Sequence, residues 1–365
     1  MSLSASLPTR WMPPQFPTGI LIDMRIAGIG AGSWGTALAS LLRSKGHDVV
    51  LWDIDPEPVR SIEETGNNSR YLPGIDLSPG LRATTDLAEA VAGAELIILA
   101  VPSQVMREVA EEIRPLLPTA APDVVLCSVT KGIEVETLML MHEVLEDVLP
   151  PEVHPRLTYL SGPSFAVEVA AGLPTAVTIA GKDLTQARRV QVAVHTPYFR
   201  PYLTEDVVGV EIGGGVKNVV AIAAGLADGM GFDANAHAAL ITRGLSEMAR
   251  LGMARGANPL TFGGLSGVGD LVLTCSSTKS RNYRVGQALG QRRSLQSIQE
   301  ELGQVAEGVV NAKAVHLLAT SLGVEMPLCN AVYRLLYEGL SPQDAITELA
   351  ARDLKHELPG RDIPE

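Results

Sequence analysis

The sequence predicts an α/β half built on a mainly parallel sheet, followed by an all-α half. Three observations carry this expectation. Short apolar runs alternate with helix-spaced segments as far as residues 204–210, the pattern of strands with covering helices. From 207 onward almost every segment has helical spacing. The chain of 365 residues is 46% hydrophobic yet only 4% aromatic, with 35 glycines, which suits closely packed α/β and helical layers better than a β-sandwich. The length favours two domains.

Taken in order, MRIAGIG (24–30) reads as a short buried strand, and 33–46 as a helix stopped by Gly46. HDVVLWD (47–53) is a second strand and 56–66 a second helix. ELIILAVP (95–102) is a buried strand with an amphipathic helix over 105–117 after it. DVVLCSVT (123–130) is a strand, 136–148 a helix, and LTYLSGPS (157–164) a strand running into a turn. AVEVAAG is a short helix, TAVTIAG (175–181) a strand and LTQARRVQVAVH a helix. Helices are expected over 207–229, 233–255, 281–290, 294–302, 308–322, 328–338 and 341–356, with a hinge around 195–210. The domains are placed at 24–205 and 206–365, preceded by a proline-rich extension, 1–23, with no continuous apolar stretch. Met24 is the expected functional start, or 1–23 a dispensable arm.

The net charge of −12 and the lack of any Lys/Arg run argue against non-specific binding to nucleic acid or anionic membranes. Cys127, Cys275 and Cys329 are scattered and odd in number, and the seven histidines form no metal-binding pattern. No disulfide framework or metal site is expected, and the cytoplasm is the natural compartment. No segment has the uncharged length of a membrane span.

Gly30-Ala31-Gly32-Ser33-Trp34-Gly35 is a GxGxxG motif between a strand and a helix, with acid at the end of the next strand. Gly30 permits the tight turn, Gly32 a close approach of a pyrophosphate, and Gly35 tight helix–sheet packing. A Rossmann-type dinucleotide domain follows. Asp53 can accept from ribose hydroxyls, which favours NAD(H); a 2′-phosphate would be repelled by Asp53 and Asp55. Asp55 can equally be a helix cap before Pro56.

Other stretches are ambiguous alone. Lys131 in TKG is either a ligand group at the carboxyl end of a strand or a solvated charge. SGPSFA (161–166) is either an anion-binding turn or a plain turn with a cap. Ser280-Arg281-Asn282 offers a phosphate grip or a surface arginine. GGGVKNVVAIAAG (213–225) sets one lysine in an apolar run, where its stem can lie on apolar surface or its pKa can fall.

The motifs GAGSWGTALA, VPSQ, TKGIE, SGPSFAVEVAAGLPTA, GGGVKNVVAIAAGLADGMGF, ITRGLSEM, GLSGVGDLVLTC, SRN, GQVAEG and GVEMP together resemble the bacterial NAD(P)-dependent sn-glycerol-3-phosphate dehydrogenase family, over about 24–355 and in the family's order. The resemblance implies reversible reduction of dihydroxyacetone phosphate to sn-glycerol 3-phosphate for phospholipid synthesis. The apolar helical half has faces to bury, and a homodimer is expected on that ground. It implies Lys217 as general acid/base. Substrate would be held by Lys131, Gly162, Ser164, Ala166, Lys217, Asp270, Ser280, Arg281 and Asn282. Cofactor contacts would include Gly30, Gly32, Ser33, Trp34, Gly35, Asp53, Ile54, Tyr71, Lys131, Ala166, Arg281, Val305 and Glu307. Ile54 stands where many members carry a basic residue, so NADH is expected to be preferred and NADPH possible, with Arg60 or Arg70 as the residues that could reach a 2′-phosphate.

An ammonium near C2 of the ketone would stabilise the developing alkoxide and protonate it. Lys131 and Arg281 are expected to depress the Lys217 pKa, Asp270 to oppose them, and the surrounding glycines to let backbone approach cofactor and substrate. Two other readings compete: another two-domain hydroxy-acid dehydrogenase, of the 3-hydroxyacyl or 6-phosphogluconate type, and a non-catalytic NAD(H) sensor.

Overall fold

A computed structural model describes residues 23–302, 306–353 and 357. The expectations for 1–22, for Val305 and for 354–356 lie outside the described residues. The first half runs β1 (Arg25–Ile29), α1 (Ser33–Ser44), β2 (Asp48–Trp52), α2 (Pro56–Thr65), β3 (Arg82–Thr84), α3 (Leu87–Val91), β4 (Leu96–Leu99), α4 (Met106–Ile113), β5 (Val125–Ser128), α5 (Met141–Val148), β6 (Leu157–Ser161), α6 (Ala166–Ala170), β7 (Thr175–Ala180), α7 (Leu184–Val194) and β8 (Phe199–Thr204). The second half is helical: α8 (Val207–Gly229), α9 (Ala234–Ala254), α10 (Asp270–Cys275), α11 (Arg281–Gly290), α12 (Leu295–Leu302), α13 (Glu307–Ser321), α14 (Pro327–Tyr337) and α15 (Pro342–Ala350).

The eight strands form one sheet, ordered β3-β2-β1-β4-β5-β6-β7-β8, in which only β6 and β7 pair antiparallel. The order reverses direction between β1 and β4, the switch point where open α/β sheets hold ligands beyond their carboxyl ends. The central strands β1, β4 and β5 are buried on both faces, as their unbroken apolar runs require.

Some boundaries differ from expectation for local reasons. The helix expected over 105–117 ends at Ile113; Pro115 and Pro118 leave only 3₁₀ turns over Arg114–Thr119. The helix expected from 136 begins at Met141, because Leu138 takes a positive φ of 61° and Ile133 bridges Leu140. Strand β8 lies inside the stretch read as a hinge, and the short β3 and α3 were not foreseen.

Helix α8 is apolar all round, and 94% of its most apolar stretch is buried inside the protein; it is a core helix. Its glycines answer to other protein backbone. A Cβ at Gly213 would collide with the Ser266 carbonyl, at Gly225 with that of Tyr283 and at Gly229 with that of Gln287. Gly286 and Gly290 of α11 return the fit against Ile222 and Leu226. At these positions the space expected to admit cofactor and substrate is filled by protein: Gly225 and Gly229 let α8 and α11 cross backbone to backbone, and Gly213 seats the Ser266 carbonyl.

A buried pair ties α5 to α8. Both Glu211 carboxylate oxygens accept from His142, one from its backbone N–H (2.9 Å) and one facing Nδ1 (2.5 Å). Burial favours neutral forms of both groups, lowering His142 and raising Glu211, but the bond to Glu211 carries His142 above its ordinary 6.5. Both folded-state values are thus raised, and the pair holds a shared proton that the unfolded chain releases sooner. That stability is present below pH 6.5 and is lost as pH rises through the folded value. His142→Gln is expected to flatten the fall in stability above pH 6.5, and His142→Ala to cost about 3–5 kcal/mol by stranding Glu211; urea unfolding across pH measures both.

Candidate functional site

Asp270 begins α10 and is 1% exposed. Its Oδ1 lies 2.5 Å from Lys217 Nζ and its Oδ2 2.8 Å from Lys131 Nζ. One carboxylate therefore bridges an ammonium from the core helix α8 and one from the loop after β5. Lys131 also donates to the Gly162 carbonyl (3.1 Å), as does Ser164 Oγ (3.0 Å), which draws in the turn after β6. Lys217 donates in addition to Thr274 Oγ1 (3.0 Å), whose own hydroxyl is given to the Asp270 carbonyl at 2.6 Å.

Burial lowers the Lys217 pKa to about 8; Asp270 opposes the fall and the Lys131 charge adds to it. Burial alone would raise Asp270, but the two lysines hold it below its usual value. Arg281 was expected to act on Lys217. It faces Glu307, Arg284 and Tyr71 instead, and burial lowers its pKa with Glu307 opposing. Glu307 itself accepts from Ser103 N (3.2 Å) and Ser103 Oγ (2.8 Å), in the loop after β4. A second group of expected residues, Tyr71, Arg281 and Glu307, thus gathers at the switch point.

Ser280 caps α11, its hydroxyl accepting from Tyr283 N (3.2 Å). The Asn282 amide is spent on structure: it donates to Asn218 Oδ1 and accepts from Gly308 N, both at 2.9 Å. Ala166 starts α6. Four polar residues not foreseen support the site: Thr274, Ser103, Asn218 and Asn311. Thr274 lies four residues after Asp270 and so on the same helix face. Ser103 and Asn218 sit inside the motifs VPSQ and VKN. Asn311, fully buried, reaches the carbonyls of Lys131 (3.4 Å) and Gly215 (3.5 Å); nothing in its surroundings in the sequence marks it.

The glycine-rich turn fits a dinucleotide. Gly30 has a φ of 105° and lies against the Ala100 carbonyl, and Gly35 lies against Gly30. A Cβ on Gly32 would meet open space, the position where a pyrophosphate can approach the amides at the start of α1. Trp34 Nε1 and Ser161 Oγ are buried polar atoms without a protein partner, as ligand-facing groups are. Ser33 Oγ donates to the Tyr71 carbonyl at 2.6 Å, joining this turn to the Tyr71 loop. Asp53 accepts from Ala31 N (2.6 Å) and Asp55 N (2.9 Å), so it also braces the turn. Asp55 is the helix cap and pairs with Arg70 at 2.6 Å, while Ile54 is 79% exposed.

The profile described as "NAD-dependent glycerol-3-phosphate dehydrogenase N-terminus" matches residues 25–187, and that of the corresponding C-terminus matches 206–347. A glycerol-3-phosphate dehydrogenase [NAD(P)+] of Anaeromyxobacter dehalogenans strain 2CP-C is 57% identical over 92% of this chain and 100% of its own. Its counterpart in Geobacter sp. strain M21 is 53% identical over 91% and 98%. The crystal structure of glycerol-3-phosphate dehydrogenase from Coxiella burnetii superposes with a TM-score of 0.85 at 41% identity, covering 90% of this chain and 99% of that one.

Asp270→Asn would leave the buried Lys217 ammonium facing that of part-buried Lys131 with no carboxylate between them. The expected result is a loss of about 3–5 kcal/mol in urea unfolding. The Lys217 pKa should also fall below its present value of about 8, read from the pH dependence of its acylation by mass spectrometry.

Proposed function

Since the chain belongs to the NAD-dependent glycerol-3-phosphate dehydrogenase family, we propose that Lys217 is its general acid and base, held by Asp270. The enzyme interconverts dihydroxyacetone phosphate and sn-glycerol 3-phosphate with NAD(P)H. The observation that carries the proposal is the Asp270 bridge between Lys131 and Lys217, beyond the carboxyl ends of the strands.

A bound nicotinamide supplies the hydride to C2 of the ketone and takes it up in the reverse direction. The protein supplies the proton. As an ammonium, Lys217 has three N–H groups: two are taken by Asp270 and Thr274, and the third is left for the substrate oxygen. As a neutral amine it keeps both acceptors, and its lone pair points where that third proton was. Thr274 and Asp270 thereby aim the proton transfer in both directions. Lys131 adds positive charge where the alkoxide develops, and the turn at Gly162, Ser164 and Ala166 closes one side. Ser280, Arg281 and Asn282 open α11, where the helix start and the guanidinium suit the substrate phosphate.

Gly30, Gly32, Ser33, Trp34 and Gly35 would hold the pyrophosphate, and Tyr71, Arg281, Glu307 and Val305 the remainder of the dinucleotide. NADH is preferred on this reading: Asp53 and Asp55 line the end of β2, and Arg70 is already paired with Asp55 and Glu57. The domain division at 205/206 falls between β8 and α8. The three free, buried cysteines suit a cytoplasmic enzyme. Exposed Phe232, Met253 and Leu260 on the helical half suit a homodimer.

Lys217→Met is expected to lower kcat by about 10²–10⁴-fold while NADH still binds, measured by NADH absorbance with dihydroxyacetone phosphate. Near-normal turnover would refute the role. In the wild type, ketone reduction should fall as pH rises through about 8, because it needs the ammonium; alcohol oxidation should rise through the same value, because it needs the amine. kcat/KM should be higher with NADH than with NADPH, and the reverse order would remove the role given to Asp53 and Asp55.

A further inference from the structure

Strand β8 ends the sheet, and among the described residues one of its edges has no neighbouring strand. Between it and α7 lies a groove of about 450 Å³. Arg188, Val192 and His195 line it from α7 and its C-cap, at spacings of four and seven that share a helix face. Arg200 and Tyr202 line it from β8, two residues apart and both exposed. No carboxylate is among its lining residues.

The charges in this groove have no acidic partner among the described residues. Arg188 donates to Gln191 Oε1 (2.6 Å), and the Arg200 guanidinium lies over the Tyr202 ring (5.5 Å). Neither forms an ion pair among the described residues. Lys45 stands behind them, its ammonium on the carbonyls of Val192 (2.6 Å) and Ala193 (2.8 Å) at the end of α7. His195 registers all three cations: its pKa is lowered by burial first, then by Lys45, Arg200 and Arg188, with no acidic group acting against them. In a chain of net charge −12, four basic groups converge with no acid beside them among the described residues. Their repulsion is a cost that a bound anion would remove. Val192 is 40% and Tyr202 47% exposed, which leaves apolar surface beside the charge.

We propose that this groove binds a small organic molecule carrying two or more phosphate charges, with its phosphates on Arg188, His195 and Arg200 and its body on Val192 and Tyr202. The site shares no residue with the Lys217 cleft and stands independently of the roles proposed there.

The test is calorimetric titration of ADP into enzyme already saturated with NADH, so that the dinucleotide seat is filled, with inorganic pyrophosphate in parallel. One ADP per chain is expected, binding at least about tenfold tighter than pyrophosphate. Arg188→Ala/Arg200→Ala should weaken ADP by at least about tenfold, with kcat and KM for dihydroxyacetone phosphate unchanged. The His195 imidazole resonance should titrate at higher pH with ADP bound. No heat from either probe up to about 5 mM, or a heat that the double substitution leaves unchanged, overturns the proposal. Equal affinity for ADP and pyrophosphate overturns the part given to Val192 and Tyr202.

Discussion

The site depends on one carboxylate placed between two ammoniums. The charge of Lys131, together with burial, drives Lys217 toward neutrality. Asp270 keeps them in place, but a single negative charge cannot balance two positive ones. The cluster therefore carries about one net positive charge in a water-poor cleft, where charge acts over a higher-energy range than in solvent. This is the state suited to meet an alkoxide. Without Asp270 the lysines would have no reason to converge, and with a second carboxylate the excess charge would vanish.

Bringing those groups together requires the sheet and the helical half to meet closely, and several buried polar contacts hold them so. His142 grips Glu211 less than two helical turns before Lys217. Ser103, in the loop after β4, grips Glu307 at the start of α13. Asn218, Asn282 and Gly308 connect α8, α11 and α13 in one chain of bonds. Each such group would be costly to bury alone. Bonded to one another across these elements, they specify one relative placement of the segments around Lys217.

The parts of this arrangement visible in the sequence were those written as local pattern. GxGxxG showed itself through its strand–helix context, and α8 through a long, mainly apolar stretch of helical spacing whose ends matched the structure at Val207 and Gly229. Long-range partners were less legible. Thr274 acts because it lies one turn from Asp270, and that only matters once Asp270 is known to hold Lys217. Asn311 is separated from Lys131 by 180 residues, and no local signal records the contact. Strand β8 was passed over because Arg200, Pro201 and Tyr202 interrupt its apolar run, as suits an edge. The sequence gives the segment of Arg281 but not the direction of its guanidinium, on which Glu307, Arg284 and Tyr71 act.

The lysine in the apolar run is explained by what each side of α8 faces. Taken alone, α8 has the composition of a membrane span, and an ammonium at its middle looks misplaced. Its glycines at 225 and 229 seat α11, and Gly213 seats the Ser266 carbonyl. Gly214 lies against the Lys131 stem and Gly215 against Gly132. Any larger residue at 213 or 214 would push away the very segments that bring Ser266 and Lys131 toward Lys217. The small residues thus set the distance at which Asp270 can reach both ammoniums. The apolar residues around them exclude the water that would otherwise return the Lys217 pKa from about 8 toward its ordinary value. Packing and acid–base chemistry are consequently set by the same stretch of helix.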